Sequence, residues 1–395
     1  MKRAVPDEKR PRRLLLCLDG VPHKLIEAAR HRGLFDAFGP PSRLLSPFPT
    51  MTNVALSAML GATPPAGYES LYFDRSAREL RGGVRKYLGR RTPDKIPSSY
   101  MDDLDYQEPL PFEFLIYVAP ESIWRADMGK FRERFRAAPQ NRDYFAFLKA
   151  TDGLLHSQGP ARLAVALESL DKILTEIREY CGSETEIVMF SDHGMNLEKN
   201  RRVHLRSALQ RRGLEAVIPA FGLCSYVAIY CDEIPDVARA VVEVEGVDFA
   251  VYKDDRSVVV ESERGQARID SSSEGFEYVT VTGDPLELGR GGGELRPDKK
   301  ADKSWLELTA SHKYPDAVPN IYKSLFTARV QHTADVLVSL KDGYYFGWSP
   351  FGRFVNLEAT HGNALQSSSN AFLMSTHRQF PAYVRADDAK VLLRE

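Results

Sequence analysis

Three aspartates in this chain each follow a short apolar stretch that is typical of a buried strand. They are Asp19 after Leu14–Leu18, Asp152 after Tyr144–Leu148, and Asp192 after Ile187–Phe190. In an open α/β sheet, functional groups collect just beyond the carboxyl ends of the strands. A single aspartate in such a place is more often a turn residue or a helix cap, so the three gain meaning only from their neighbours.

Imidazoles accompany two of these carboxylates and recur near the end of the chain. His156 lies four residues after Asp152, His193 directly follows Asp192, and His361 lies in a glycine-bearing segment. Aspartate and histidine are ligands that zinc takes when water or a substrate must bind as well. The set therefore indicates a metal site that is open to a substrate.

A candidate nucleophile, Thr52, lies at the start of a predicted helix that runs to Leu60 and ends at Gly61. The backbone N–H groups and the dipole at a helix N-terminus favour an anion. A metal bound to an alcohol there would make it an alkoxide near neutral pH. Taken alone, Thr52 is better explained as a plain helix cap, and only the surrounding candidates favour catalysis.

The elements that must position these residues alternate between strands and helices, which predicts an α/β fold with a mainly parallel central sheet flanked by helices. The most regular predicted helix spans Ala161–Tyr180. We expect a catalytic core at 13–195 and 331–395, with an inserted smaller α+β cap at 196–330. Ala334–Ser339 is predicted as a late core strand, with Tyr344–Phe346 as its hairpin partner.

Composition is that of an ordinary globular protein, with 395 residues, 43% hydrophobic residues and a net charge of −1. Such a balance provides no overall field that would attract polymeric nucleic acid or an acidic membrane. The apolar run before Asp19 is too short to span a membrane. Four cysteines without metal-knuckle spacing favour a reducing, cytoplasmic setting. The sequence carries no signal for an oligomeric state.

Five motifs in a fixed order resemble the alkaline phosphatase superfamily, and most of all its type I phosphodiesterase and nucleotide pyrophosphatase branch, with phosphonoacetate hydrolases nearby. The motifs are Asp19-Gly20, Pro49-Thr50-Met51-Thr52-Asn53, Asp152 with His156, Ser191-Asp192-His193-Gly194-Met195, and Thr360-His361-Gly362. The resemblance covers residues 13–195 and 331–377, and does not extend to the predicted cap.

The resemblance implies a ligand set for two divalent metal ions. One metal would be held by Asp152, His156 and His361; the other would be held by Asp19, Asp192 and His193, with the Thr52 oxygen as a further ligand. Zinc suits this nitrogen and oxygen set best, and manganese or iron are alternatives. Thr52 would attack phosphorus and form a covalent phosphothreonine, which water then hydrolyses.

A threonine at position 52 narrows the activity that the resemblance implies. Sulfatases of the superfamily need a Cys or Ser, and its mutases and alkaline phosphatases usually carry Ser, so Thr52 favours diesters, phosphonates or pyrophosphates. Asn53 follows the nucleophile directly, where nucleotide pyrophosphatases commonly show Thr-Phe-Pro-Asn. The usual Pro-Glu-x-His-Gly segment is replaced by Thr63–Ser70. Asn53 is a candidate for the oxyanion site through its N–H or its side chain.

Three functions follow as hypotheses. The first is a phosphodiesterase or pyrophosphatase acting on a small phosphorylated substrate such as a nucleotide. The second is a phosphomonoesterase or phosphonate hydrolase on the same core, for which Arg and Lys within residues 75–95 would supply the extra cations. The third is a non-catalytic module stabilised by its metals, against which the presence of a nucleophile argues.

Overall fold

The computed structural model describes residues 13–83, 105–107, 119–138, 143–290, 300–347 and 357–394, which form two large sheets, two small sheets and ten α-helices. The strands are β1 Leu14–Leu18, β2 Ser42–Leu45, β3 Leu71–Asp74, β4 Glu79–Gly82, β5 Asp105–Gln107, β6 Tyr144–Leu148, β7 Ile187–Phe190, β8 Arg201–Arg202, β9 Leu223–Cys224, β10 Tyr226–Ile229, β11 Val247–Asp254, β12 Ser257–Ser262, β13 Gly265–Ser272, β14 Gly275–Gly283, β15 Val336–Leu340, β16 Tyr344–Gly347, β17 Asn370–Ser375 and β18 Tyr383–Arg385. The helices are α1 His23–His31, α2 Thr52–Leu60, α3 Pro120–Ala137, α4 Ala150–Cys181, α5 Leu205–Arg211, α6 Ile234–Val242, α7 Asp302–Thr309, α8 Ala317–Phe326, α9 Gln366–Ser369 and α10 Ala386–Arg394. Two smaller sheets, β8-β16-β9 and β3-β4, complete the described strands.

The first large sheet has seven strands in the order β18-β2-β17-β7-β1-β6-β5. Strands β7, β1, β6 and β5 pair in parallel, as do β2 and β18, whereas β17 pairs antiparallel with both β7 and β2. The fold is therefore α/β, as predicted, and its central sheet is mixed. The antiparallel strand comes late in the chain and lies inside the sheet, so the apolar runs alone did not reveal it.

Both faces of β1 are covered, which explains its unbroken apolar sequence. Leu14, Leu16 and Leu18 pack in one hydrophobic cluster with residues of α1, α3 and α4. Leu15 and Cys17 pack in another cluster with residues of α2 and α10. Side chains on a strand alternate between faces, so this division follows from the period of two. The helix that begins with Thr52 thus packs on the same sheet that presents Asp19.

Helix α4 is longer than predicted because it continues on the N-terminal side of a break. Gly159 has φ 74° and ψ −173°, and Pro160 follows it, so two helical segments meet there. The helix predicted at Ala161–Tyr180 begins directly after this pair. In the structure the first segment begins at Ala150 and carries Asp152 and His156 one turn apart.

The second large sheet is antiparallel throughout, in the order β10-β15-β11-β12-β13-β14. The prediction of a late core strand at Ala334–Ser339 was wrong, because β15 lies in this sheet between β10 and β11. The hairpin prediction for Tyr344–Phe346 was also wrong, because β16 pairs with β8 and β9. A five-residue apolar strand fits either sheet equally well, so its pattern could not identify its partners.

The predicted loop at Leu288–Lys303 lies partly outside the described residues, which omit 291–299. Its ends are ordered: Leu288–Arg290 form a short 3-10 turn, and α7 begins at Asp302. Among the helices of the described part of the chain, none combines the length and the apolar character needed to cross a membrane. Cys17, Cys181, Cys224 and Cys231 form no disulfide.

Candidate active site

The carboxyl ends of β1 and β7 place Asp19 and Asp192 side by side. The backbone N–H of Gly20 donates a hydrogen bond of 3.0 Å to Oδ1 of Asp192. Gly20 has φ +67°, and a Cβ there would lie 2.9 Å from Oδ1 of Asp152. Glycine is required at this turn because a side chain would be strained and would fill the space between the carboxylates.

Thr52 is the first residue of α2, and Met51 occupies the cap position without a side-chain cap. Thr52 is therefore not the helix cap, which was the alternative explanation. Its Oγ1 lies 3.3 Å from Oδ1 of Asp19 and 3.2 Å from Nε2 of His193. The hydroxyl thus joins the N-terminus of a helix to a carboxylate and an imidazole, where the helix dipole favours negative charge.

A second group of ligand candidates assembles from the start of α4 and the segment after residue 357. Oδ1 of Asp152 lies 3.2 Å from Nε2 of His156 and 3.7 Å from Nε2 of His361. The rings of His193 and His361 stack with centroids 3.8 Å apart. The structure therefore brings together all seven residues that the sequence proposed as metal ligands.

The three imidazoles are oriented in the same way. Their Nδ1 atoms each lie within hydrogen-bond distance of a backbone carbonyl oxygen: 2.7 Å from Ala359 for His156, 2.9 Å from Gly194 for His193, and 2.8 Å from Thr50 for His361. A carbonyl can only accept, so each Nδ1 carries a proton, and in the neutral ring each Nε2 then keeps its lone pair. That tautomer is the one a metal ligand needs.

Two groups of three ligand atoms lie within 4.8 Å of one another: Asp152, His193 and His361, and Asp19, Asp192 and His193. His193 belongs to both groups, and His156 adjoins the first through Asp152. The sequence had assigned His156 to the first metal and His193 to the second alone. Oδ2 of Asp192 is buried and accepts no hydrogen bond from the described residues. A buried carboxylate oxygen without a donor fits a cation as its partner.

The pKa values reflect a buried cluster of carboxylates. Burial raises the pKa of Asp192 to about 6, although the N–H of Gly20 acts in the opposite direction. Burial, and then the charges of Asp192 and Asp152, hold the pKa of Asp19 well above its usual range. Removing charged groups from water and placing them side by side is costly unless a cation is present. The electrostatics therefore suit divalent metal ions.

The pKa values of the three neighbouring imidazoles shift in different directions. Burial lowers the pKa of His193 to about 4 and that of His361 to about 3. Burial also acts to lower the pKa of His156, but the carboxylate of Asp152 outweighs it and the pKa is raised. Neutral imidazoles are the form that binds metal, so His193 and His361 are ready to bind near neutral pH.

Asn53, the other catalytic candidate, is the second residue of α2 and is partly buried. Its side chain makes no hydrogen bond with the described residues.

Thr50 is a residue that the sequence analysis did not identify as part of the site. It is fully buried, and its Oγ1 accepts from the N–H of Gly362 at 2.9 Å and donates to the carbonyl of Asn363 at 3.1 Å. Its place in the Pro-Thr-x-Thr motif was the available signal.

The cations predicted within residues 75–95 are only partly described. Arg75 pairs with Asp335, and Arg81 lies 3.0 Å from Asp74, so these two charges are balanced by carboxylates. Arg78 is exposed, and residues 84–95 lie outside the described part of the chain. Arg75 and Arg81 therefore do not offer free charge for a doubly charged phosphate.

An α/β core with an alcohol at a helix N-terminus, facing a buried cluster of Asp and His, defines a phosphoric ester hydrolase of the phosphodiesterase type. The chain belongs to the type I phosphodiesterase / nucleotide pyrophosphatase family, whose profile matches residues 70–346. The matched segment includes Asp152, His156, Asp192 and His193, and the family resemblance of the motifs is confirmed. Among curated protein sequences, none matches the chain.

Solved structures share this fold across nearly the whole chain. Phosphonoacetate hydrolase from Sinorhizobium meliloti in complex with phosphonoformate has a TM-score of 0.56 at 14% identity, covering 98% of this chain and 95% of that one. Human ectonucleotide pyrophosphatase / phosphodiesterase 5 has a TM-score of 0.54 at 13% identity, covering 97% and 93%. An inactive variant of the murine counterpart, in which a threonine is replaced by alanine, was solved in complex with AMP, with a TM-score of 0.54 at 12% identity, covering 97% and 94%. At these identities the likeness establishes the fold alone.

Proposed function

We propose that the protein is a metal-dependent hydrolase of phosphodiester or pyrophosphate bonds in small phosphorylated molecules, with Thr52 as its nucleophile. The observation that carries this proposal is the position of the Thr52 hydroxyl, 3.3 Å from Asp19 and 3.2 Å from His193 at the start of α2. A structural metal site would need no alcohol there. The inactive threonine-to-alanine variant of the murine relative supports the same role by analogy.

The reaction has two stages at Thr52. Its oxygen attacks phosphorus, a bond forms between that oxygen and phosphorus, and the bond from phosphorus to the leaving oxygen breaks. Water then attacks the phosphothreonine, which frees the threonine and releases the second product. The N-terminus of α2, including the N–H of Asn53, favours the negative charge that develops on the phosphoryl oxygens.

The residues would hold two divalent metal ions, zinc above all, with manganese or iron as alternatives. Bound metals would neutralise the charge on the attacking and leaving oxygens of an in-line displacement. We assign Asp152, His156 and His361 to one ion, and Asp19, Asp192, His193 and Thr52 to the other, with His193 close to both. The carbonyl contacts at each Nδ1 fix the imidazole rings, which prepares the site before any metal arrives.

We also propose that the antiparallel sheet and its helices act as a cap that selects the substrate. Phe48 and Met51, beside the nucleophile, share a hydrophobic cluster with Tyr226 and Phe249 of this sheet. The insertion, predicted at 196–330, would then have to extend past residue 330 to include β15.

A cytoplasmic location remains a prediction.

A phosphonate hydrolase is the second candidate. The observation in its favour is the likeness to phosphonoacetate hydrolase, which spans nearly all of both chains. A phosphomonoesterase has less support because Arg75 and Arg81 are paired with carboxylates.

Metal-reconstituted protein should be assayed on bis(p-nitrophenyl) phosphate, p-nitrophenyl phosphate and phosphonoacetate, with Thr52→Ala and Thr52→Ser as a matched pair. We expect the diester to be hydrolysed fastest, the alanine variant to be inactive, and the serine variant to retain measurable turnover. Preference for phosphonoacetate would establish the second candidate. Two bound metals without turnover of any substrate would instead support a non-catalytic module.

A further inference from the structure

A cavity of about 580 Å³ lies between the two large sheets, lined by the start of α1, by β2, and by loops of the antiparallel sheet. None of the seven ligand candidates lines it. Its volume falls within the range of sites that hold small molecules. The cavity is therefore large enough for a ligand and distinct from the catalytic cluster.

Basic side chains outnumber acidic ones along its walls. The lining includes the five cationic residues Lys24, Arg43, Arg264, Lys313 and Lys341, and the three acidic residues Glu27, Asp248 and Asp342. A cavity with an excess of positive charge concentrates anions, because its low-dielectric walls strengthen the field inside.

The acidic side chains already have partners. Asp248 accepts from Arg264 at 2.9 Å and from the hydroxyl of Tyr314 at 2.8 Å. Oδ1 of Asp342 accepts from Nδ2 of Asn363 at 2.9 Å and from the hydroxyl of Ser367 at 2.8 Å. Glu27 lies 3.1 Å from Nδ1 of His23. Of the three acids, only Asp248 is balanced by a cation of its own among the described residues, Arg264. Asp342 and Glu27 keep their charge, and Lys24 acts on Asp342 through space. The four other cations of the lining, Lys24, Arg43, Lys313 and Lys341, therefore still outnumber the two remaining acids.

Two of the cations have no acid within ion-pair distance among the described residues. Lys24 makes no hydrogen bond or ion pair there, and Arg43 contacts only the hydroxyl and ring of Tyr383, at 3.4 Å and 5.7 Å. Lys313 and Lys341 each lie 3.3 Å from a glutamate in partly exposed pairs, which are weak and easily exchanged. Pro22 at the start of α1 also lines the cavity, so the dipole of that helix adds to the positive potential.

We infer that this cavity binds a small phosphorylated anion, held mainly by Lys24 and Arg43. A dianionic phosphate calls for more than one cation, and the planar guanidinium of Arg43 can donate two hydrogen bonds to its oxygens. The inference rests on the charge of the cavity and is independent of the reaction at Thr52.

The site also lies against the loops that carry two ligand candidates. Asp342 and Ser367 line the cavity, and Asp342 accepts from Asn363, two residues beyond His361. The carbonyl of Ser368 accepts from the N–H of Gly194, next to His193, at 2.7 Å. An occupant of the cavity would therefore contact the reverse side of the catalytic loops.

Inorganic phosphate is the probe, and equilibrium dialysis of the metal-reconstituted full chain counts the ions bound. We expect the Lys24→Gln, Arg43→Gln double variant to bind one phosphate fewer per chain, or to bind it at least roughly tenfold more weakly. Lys172→Gln with Arg211→Gln, two exposed cations away from the cavity, is the matched control and should bind as the unmodified protein does.

Chelation of the metals separates this site from the catalytic one. Phosphate at the cavity should survive chelation, provided that circular dichroism reports an unchanged fold, whereas phosphate at the metal cluster should be lost. Equal phosphate binding by the double variant and the control would overturn the inference. Hydrolysis of bis(p-nitrophenyl) phosphate, measured on the same samples, tests the proposed function separately.

Discussion

Nδ1 of His361 lies 2.8 Å from the carbonyl oxygen of Thr50, two residues before the proposed nucleophile. The same threonine exchanges backbone and hydroxyl hydrogen bonds with Gly362 and Asn363. A single buried residue therefore sets both the tautomer of an imidazole and the distance between two segments far apart in the chain. We expect the alignment of Thr52 with the proposed metal ligands to depend on this contact.

Replacing the hydroxyl of Thr50 should separate these segments. Thr50→Val keeps the shape but leaves the N–H of Gly362 without its acceptor, so we expect a loss of about 1–3 kcal/mol in the free energy of unfolding. Thr50→Ser keeps the hydroxyl and should lose less. Urea unfolding measures the stability, and competition with a chromogenic chelator measures zinc affinity, which should fall in the valine variant. Equal zinc affinity in both variants would show that the contact is not needed for positioning.

Gly20 should tolerate no side chain, because an added Cβ would meet a carboxylate in addition to straining the backbone. Gly20→Ala would place a Cβ 2.9 Å from Oδ1 of Asp152, whereas Gly33, with φ +81°, has nothing within 4 Å of an added Cβ. Gly33→Ala should cost about 1–2 kcal/mol from the left-handed backbone. Gly20→Ala should cost more and also abolish the binding of two metals. Metal analysis and thermal unfolding of both variants test this difference, and an intact metal content in Gly20→Ala would contradict it.

His193 should matter more for metal content than His156. Its ring nitrogen belongs to both groups of ligand atoms, whereas His156 adjoins only one. We expect His193→Ala to lose most of both metals and His156→Ala to retain about one metal per chain. His204→Ala, at an exposed position, is the control and should keep the full content. Mass spectrometry of the metals under native conditions would decide, and equal losses in the two ligand variants would count against a shared His193.

Metal affinity should fall in acid, and the carboxylates set where it falls. In the metal-free protein burial raises the pKa of Asp192 to about 6, so below that pH an incoming metal must displace a proton. The pKa values of His193 and His361, about 4 and 3, leave these rings neutral through the same range. Zinc affinity should therefore fall as the pH drops below about 6, by about tenfold per pH unit for each proton displaced. Calorimetric titration in buffers of different ionisation enthalpy measures the protons released.

The raised pKa of Asp192 has the opposite effect on the stability of the metal-free protein, to which this carboxyl contributes more in acid, where zinc affinity falls. Because the folded state binds this proton more tightly than the unfolded chain does, the stabilisation it provides is complete in acid and is lost as the pH rises through about 6. The depressed pKa values of His193 and His361, about 4 and 3, act in the opposite direction between about pH 4 and pH 6, because the unfolded chain binds those protons more tightly. The decline that Asp192 causes should therefore appear as a difference in the free energy of unfolding between chelated protein and its chelated Asp192→Asn variant over that pH range. A metal-loaded sample should lack this decline, since the metal replaces the proton.

The sequence predicted the ligand candidates because each physical signal was local. Strands buried on both faces are continuously apolar, so β1, β6 and β7 were recognisable, and the residues after them followed. The partner of β15 was not predictable, because an apolar run does not identify which sheet receives it. The sequence also could not predict that His193 belongs to both groups of ligand atoms, since this depends on where side chains meet after three loops have packed.

Helix α4 shows that the length of a helix can depend on contacts that its own sequence does not reveal. The apolar pattern predicted a helix from Ala161 onward, whereas the structure has a break at Gly159-Pro160 inside a longer helix that begins at Ala150. What continues the helix on the other side is tertiary packing, which buries Asp152 and His156 against loops from elsewhere in the chain. Local breaker residues cannot report such stabilisation.

The location of β17 has a consequence for how the protein is made. Strand β2 forms near the beginning of the chain, yet its described neighbours are β17 and β18, both of which come from the last part. During translation, β2 is made long before its sheet partners, and it stays unpaired, together with the following helix that carries the proposed nucleophile, until most of the polypeptide has emerged. Contacts so distant in sequence slow folding and leave strand edges open to association. A ribosome-bound intermediate would thus lack both neighbours of β2, and the open edge of that strand would have to be shielded from association until the last part of the chain has been made.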